Sequence, residues 1–206
     1  DAQGGALVWR FSPRPDGRHM IHDGRLISPY PVRTGVVVED GLAYFGASLL
    51  PWRPSLLCAL DARSGTLDTR AGTWVREHAG GLTLEGALLA SYDTLIVPQG
   101  RVAPLLFERA TGNALGSLPG GGGSFCLLTE DDEVLHGPGN KAGWITASAS
   151  DSRAQAASYD KGRAMVLEGS TAWPPPDRAL SAPDGATLTF DTDPPGQPAT
   201  PVRNQC

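Results

Sequence analysis

The stretch LLCALDARSGTL, residues 56–67, has a second copy in LLFERATGNAL, residues 105–115, with Gly65 and Gly112 holding the same place 47 positions apart. An apolar run, a turn and a resumed run, recurring at this distance, restrict the chain to repeated small sheets. Leu56, Leu57 and Leu60 read as a strand, and Asp61 to Gly65 as the turn that ends it. An aspartate side chain at a strand end accepts backbone N–H groups from the following residues, and glycine supplies the left-handed conformation of a four- or five-residue loop. In the second copy Glu108 stands for Asp61, and Thr111-Gly112 for Ser64-Gly65.

A hairpin precedes each turn. In the first copy GVVV, Glu39-Asp40-Gly41 and LAYFG set an Asp-Gly pair between apolar runs, a strong hairpin signal. In the second, ALLA and TLIV flank Ser91-Tyr92-Asp93. Each unit is therefore four short strands in about fifty residues, the size of one propeller blade. A lone four-stranded sheet cannot bury both faces, whereas blades stacked face to face can. The expected fold is all-β: a propeller of four-stranded antiparallel blades, three to four of them present.

Residues 1–34 read as the outer strand of a preceding blade plus an insertion, because Asp1 and Gly5 align on Asp61 and Gly65. That opening at a blade turn gives the expectation of a part of a larger ring. Residues 35–80 and 81–120 are the two clear blades, and 121–190 a degenerate one. In the latter, MVL and STA around Glu168-Gly169 repeat the Asp-Gly hairpin, and Leu180 to Gly185 is a shortened turn copy. Ser12 to Thr34 and His136 to Ala157 read as irregular excursions, with a short helix over 150–157. Residues 191–206 read as a flexible proline-rich tail.

Glycine and proline contribute 26 and 18 of 206 residues, which suits short strands and frequent turns. A net charge of −5 without a basic stripe argues against a nucleic-acid surface, and no apolar run is long enough to span a bilayer. Cys58, Cys126 and Cys206 form no C-x-x-C and no adjacent pair. They read as two buried apolar side chains and a terminal thiol, with a Cys58–Cys126 disulfide open if the chain is secreted.

LLCALDARSG, LLFERATG and DAQGGALVW resemble the repeats of pyrroloquinoline-quinone-type (PQQ-like) β-propellers, well over residues 1–120 and weakly over 121–190. The resemblance implies a periplasmic or extracellular bacterial protein. Its class holds both quinoprotein dehydrogenases and non-catalytic scaffolds. Quinoprotein alcohol dehydrogenases of that class hold the quinone between a tryptophan and a vicinal disulfide, with Ca²⁺ and an aspartate base. This chain has no vicinal cysteines, so no catalytic residue is carried over.

The remaining candidates each have a plain structural reading. Gly120 to Gly123 lacks the Lys-Ser/Thr of a phosphate loop and reads as a link between blades. His19 and His22, three apart, have no third ligand nearby. His136, Asn140, Lys141 and Trp144 lie in the 136–157 excursion and are candidates for a sugar or an anionic group. Arg101, with Arg53 and Lys141, is a candidate for an acidic ligand at strand-connecting loops. Glu130 to Glu133 lacks a calcium-loop spacing and reads as a hairpin turn.

The expected function is a non-catalytic propeller module that scaffolds binding or assembly, with no cofactor and no metal. Its partner would be another protein or the remainder of a larger propeller chain, with a glycan as a further candidate. The alternative is the propeller portion of a redox enzyme, with PQQ and Ca²⁺ as its cofactors, or one linked to a cytochrome. A carbohydrate-binding or carbohydrate-cleaving propeller is the third reading.

Overall fold

A computed structural model describes residues 3–14, 18–50, 52–67, 71–80, 82–84, 86–120, 122–123, 125–129, 131–137, 145–159, 165–167, 170–172, 180–181 and 187–188. Every regular element among them is a strand. Two compact units are present: Asp1–Gln99 with Leu105–Gly116, and Gly100–Pro104 with Ser117–Cys206.

In the first unit, β1 (Met20–His22) and β2 (Arg25–Ile27) form a separate hairpin. The first blade follows: β3 (Val37–Glu39), β4 (Leu42–Ala47), β5 (Ser55–Asp61) and β6 (Trp74–His78), hydrogen-bonded in that order. Asp40 and Gly41 sit between Glu39 and its partner Leu42, with φ of 49° and 73°. Positive φ at both positions marks the mirror-image turn whose twist matches that of the strands it joins. The second blade has the same order: β7 (Leu89–Ala90), β8 (Thr94–Gln99), β9 (Val102–Glu108) and β10 (Ala114–Ser117).

Alternation along the strands gives the first blade two apolar faces. Leu42, Tyr44, Leu57, Ala59 and Trp74 pack against Leu84, Leu88, Leu95, Val97 and Phe107 of the next blade and its lead-in. The opposite set, Phe45, Ala47, Leu56, Cys58 and Leu60, is covered by Trp9, Phe11 and Tyr30. One sheet is thus buried on both sides by the segments before and after it. This is blade stacking, and neither a helix-covered sheet nor a two-layer sandwich.

The second unit holds β11 (Phe125–Leu128), β12 (Glu133–Gly137), β13 (Ile145–Ala149) and β14 (Gln155–Tyr159), a third four-stranded blade. Here the sequence reading needs correction. His136 to Ala157 is not an excursion, since β12 to β14 run through it, and residues 150–157 form a turn leading into β14 rather than a helix. Arg153 stands where Gly65 and Gly112 stand, at φ 60°, and its N–H reaches the Ala149 carbonyl at 3.1 Å. The corresponding bonds are 2.8 Å from Gly65 to Asp61 and 2.7 Å from Gly112 to Glu108. A non-glycine residue in this conformation costs about 1 kcal/mol, so the repeat here no longer carries its glycine. The chain then continues with β15 (Met165–Leu167) paired to β16 (Ser170–Ala172), and β17 (Leu180–Ser181) paired to β18 (Thr187–Leu188). Both short pairs fall where the sequence repeats the hairpin and the turn. Pro183 and the tail from Asp191 lie outside the described residues.

Candidate functional site

Two of the repeat turns in the first unit are each covered by a tryptophan from earlier in the chain. Asp61 Oδ1 accepts from the Arg63 and Ser64 N–H groups at 3.0 and 2.8 Å. This fixes a loop that leaves Gly65 bare, and Trp9 lies on it: a Cβ there would stand 2.5 Å from the indole. Trp9 Nε1 donates to the Ala62 carbonyl at 3.1 Å. One blade later, Glu108 and Thr111 are hydrogen-bonded side chain to side chain, and Trp74 covers Gly112. Trp74 Nε1 donates to the Arg109 carbonyl at 3.0 Å. Of the repeat-turn residues, Asp61 and Glu108 end β5 and β9, Thr111 lies on the turn that follows Glu108, and Gly5, Gly65 and Gly112 have φ of 67°, 70° and 72°, while Asp1 is outside the described residues.

Arg109 was not legible as anything but a turn residue. Its guanidinium is buried and donates to Tyr44 Oη at 3.0 Å and to the Ser91 and Tyr92 carbonyls at 2.5 and 3.1 Å. It also pairs with Asp40. One side chain therefore ties the hairpin tip of the first blade to that of the second. These polar groups join the two blades.

Arg101 is exposed on the tight turn between β8 and β9, beside Gly100 at φ 65°. Arg53 is exposed in the corresponding loop of the first blade, next to Trp52, which is 76% exposed. His136 differs from its expectation as a loop ligand. It lies within β12, fully buried, with Nδ1 2.8 Å from the Gly122 carbonyl. The glycine run explains the cover. Gly120 and Gly122 have φ of 85° and 87°, and a Cβ on Gly120 would meet Thr146 Oγ1 at 2.9 Å, so only bare backbone fits over this face. Gly123 bridges back to Gly100. Asn140, Lys141 and Trp144 lie outside the described residues.

The hairpin β1–β2 was missed. Asp23 and Gly24 have φ of 49° and 72°, nearly repeating Asp40 and Gly41. The signal was present in HMIHDGRLI, where two short apolar runs flank Asp-Gly. Its Ile21 and Leu26 are cross-strand partners, 75% and 72% exposed. The segment that follows is bonded to the Trp52 loop, Ser48 N–H to the Pro31 carbonyl and Leu49 N–H to that of Pro29, both at 3.2 Å.

The buried His136 and the half-buried His78 carry a pH prediction. Burial pushes the His136 imidazole below its ordinary range, partly offset by the Gly122 and Pro119 carbonyls. Burial, aided by Arg76, does the same to His78. Unfolded histidines bind protons near pH 6.5 while the folded ones resist, so stability is full above about pH 7 and falls as pH drops below that value. The slope is at most about 1.4 kcal/mol per pH unit for His136 and less for the half-buried His78. Urea midpoints at pH 7.5 and 5.5 check this, and the double variant His78→Gln/His136→Gln should flatten the difference. Burial also raises the Cys58 and Cys126 thiols to about 12, and both are free. Among the described residues no three His, Cys, Asp or Glu side chains gather as metal ligands, and no helix is long and apolar enough to cross a membrane.

No family model matches the chain, and no curated protein is recognisably similar to it. Similar solved structures exist. BamB from Moraxella catarrhalis is 23% identical over 66% of this chain, with a TM-score of 0.48. A quinohemoprotein alcohol dehydrogenase from Comamonas testosteroni is 19% identical over 65%, and a europium-containing methanol dehydrogenase 15% identical over 71%, each with a TM-score of 0.43. The chain spans 39%, 21% and 38% of their respective lengths.

Proposed function

We propose that the protein is a non-catalytic propeller module that presents loops from its stacked blades as a platform for binding or assembly. One observation carries the reading. Large apolar side chains that blade packing does not use, Ile21, Leu26 and Trp52, stand exposed on the β1–β2 hairpin and on the β4–β5 loop to which the hairpin's return segment is bonded. Tryptophan and arginine, here Trp52 beside Arg53, are among the residue types that dominate binding energy at protein interfaces. A periplasmic or extracellular location follows from the repeat resemblance and belongs to the same proposal.

The redox reading is tested directly. Adding PQQ with Ca²⁺ to the protein is expected to leave both its melting temperature and the quinone absorbance unchanged. A ligand at a hundred times its dissociation constant stabilises by about 2.7 kcal/mol, which a melting curve resolves. A clear stabilisation would overturn the scaffold reading in favour of a quinone-dependent enzyme.

A further inference from the structure

The hairpin β1–β2 is built as a docking element. Its base is fixed in several ways. Trp9 and Phe11 pack under the first blade, Arg14 pairs with Glu77 and lies over the Tyr30 ring at 5.6 Å, and Tyr30 packs on the same apolar face. Its outer part is exposed, with Ile21 opposite Leu26 on one side and His22 opposite Arg25 on the other. Among the described residues β1 and β2 pair only with each other, so no further strand is bonded to the outer edge of either, at Ile21 and at Leu26.

Charge indicates what fits that edge. From Arg10 to Arg33 inclusive there are five arginines, of which Arg14 is paired with Glu77, and two aspartates, in a chain whose net charge is −5. The segment that carries the hairpin is thus cationic on an anionic protein. We infer that this hairpin binds an extended, acidic segment of a partner protein, which adds as a strand to its edge and covers Ile21 and Leu26. Strand addition takes its affinity from main-chain hydrogen bonds and its selectivity from alternate side chains. A partner with carboxylates on one side and apolar residues on the other meets Arg25 and the Ile21–Leu26 pair together. A lipid surface fits less well. The tip carries Asp23 between His22 and Arg25, and hydrocarbon cannot satisfy the open backbone edge.

The inference rests on the platform reading, and its test is separate from the quinone experiment. The probe is a fluorescein-labelled ten-residue peptide of alternating valine and glutamate, titrated into the full chain and followed by anisotropy. A valine–lysine peptide serves as control. Saturable binding of the acidic peptide is expected, with the lysine peptide at least tenfold weaker. Leu26→Asp and Arg25→Glu should each weaken the acidic peptide at least tenfold. Both sites are exposed, so an unchanged melting curve shows that the fold is intact. Equal binding of both peptides, or no loss in the variants, overturns the inference. So does hairpin-dependent binding to phosphatidylglycerol vesicles alone, or hairpin-dependent self-association in place of peptide binding. A positive quinone result with peptide binding intact would remove the platform reading and leave the docking element standing.

Discussion

Trp74→Ala is expected to destabilise the protein by about 3–5 kcal/mol, the range for emptying a buried aromatic site. The indole is 6% exposed, lies in the core between the first two blades, and loses a 3.0 Å bond to the Arg109 carbonyl. Its bed is Gly112, and that pairing makes the prediction sharper than a generic cavity. Gly112→Ala should cost about 1–2 kcal/mol for the left-handed conformation alone. It also drives a Cβ to 2.6 Å from the Trp74 ring and 2.7 Å from Arg76 Cγ, which adds about 1–3 kcal/mol of overpacking. In a Trp74→Ala background the ring is gone, and most of that second cost should vanish. Urea unfolding of the two single variants and the double variant then gives a coupling of about 1–3 kcal/mol, the double being less damaged than the sum. Strict additivity would mean that the tryptophan does not rest on the turn of the following blade.

The same pair shows what a linear sequence displays. Gly112 is legible because it recurs after Gly65 in a turn grammar that only a left-handed residue completes. Trp74 is not legible as its partner. The two are 38 positions apart, and nothing local to either names the other. Asp40-Gly41 and Ser91 to Asp93 are read correctly because a short turn between apolar runs is a local signal, and the structure places β3–β4 and β7–β8 around them. The third blade is expected at 121–190, but its strands across 136–157 read as an excursion for a local reason too. Among the described residues Leu135, Ile145 and Ala147 cluster on one face, while the other carries the polar His136, Thr146 and Ser148 around Val134. Strands with one such face resemble a polar loop in composition, and Arg153 removed the glycine that would have marked the turn. At the candidate site the outcome is similarly divided. Arg101 sits on an exposed turn, whereas His136 is roofed by the glycine run, a long-range contact of backbone with ring.

Arg109 is the second position where a large effect is expected. Arg109→Ala should cost about 3–5 kcal/mol, the range for removing one partner from a buried, charged hydrogen-bond set. Most of that comes from what stays behind. Tyr44 Oη and the Ser91 and Tyr92 carbonyls lose their shared donor, and Tyr44 is fully buried. Asp40 contributes less, because its side chain is 67% exposed and solvent screens the pair. Asp40→Ala should therefore cost no more than about 1 kcal/mol. Arg109→Lys should recover only part of the loss, since an ammonium lacks the planar fork that reaches Tyr44 on one blade and two carbonyls on the next. Urea midpoints rank the three variants, with alanine at 109 worst, lysine intermediate and alanine at 40 mildest. If Asp40→Ala proved as damaging as Arg109→Ala, the exposed ion pair would be the source of the stability. The neutral contacts that join the two hairpin tips would then contribute little, and a blade pair held by an exposed charge should weaken sharply in salt.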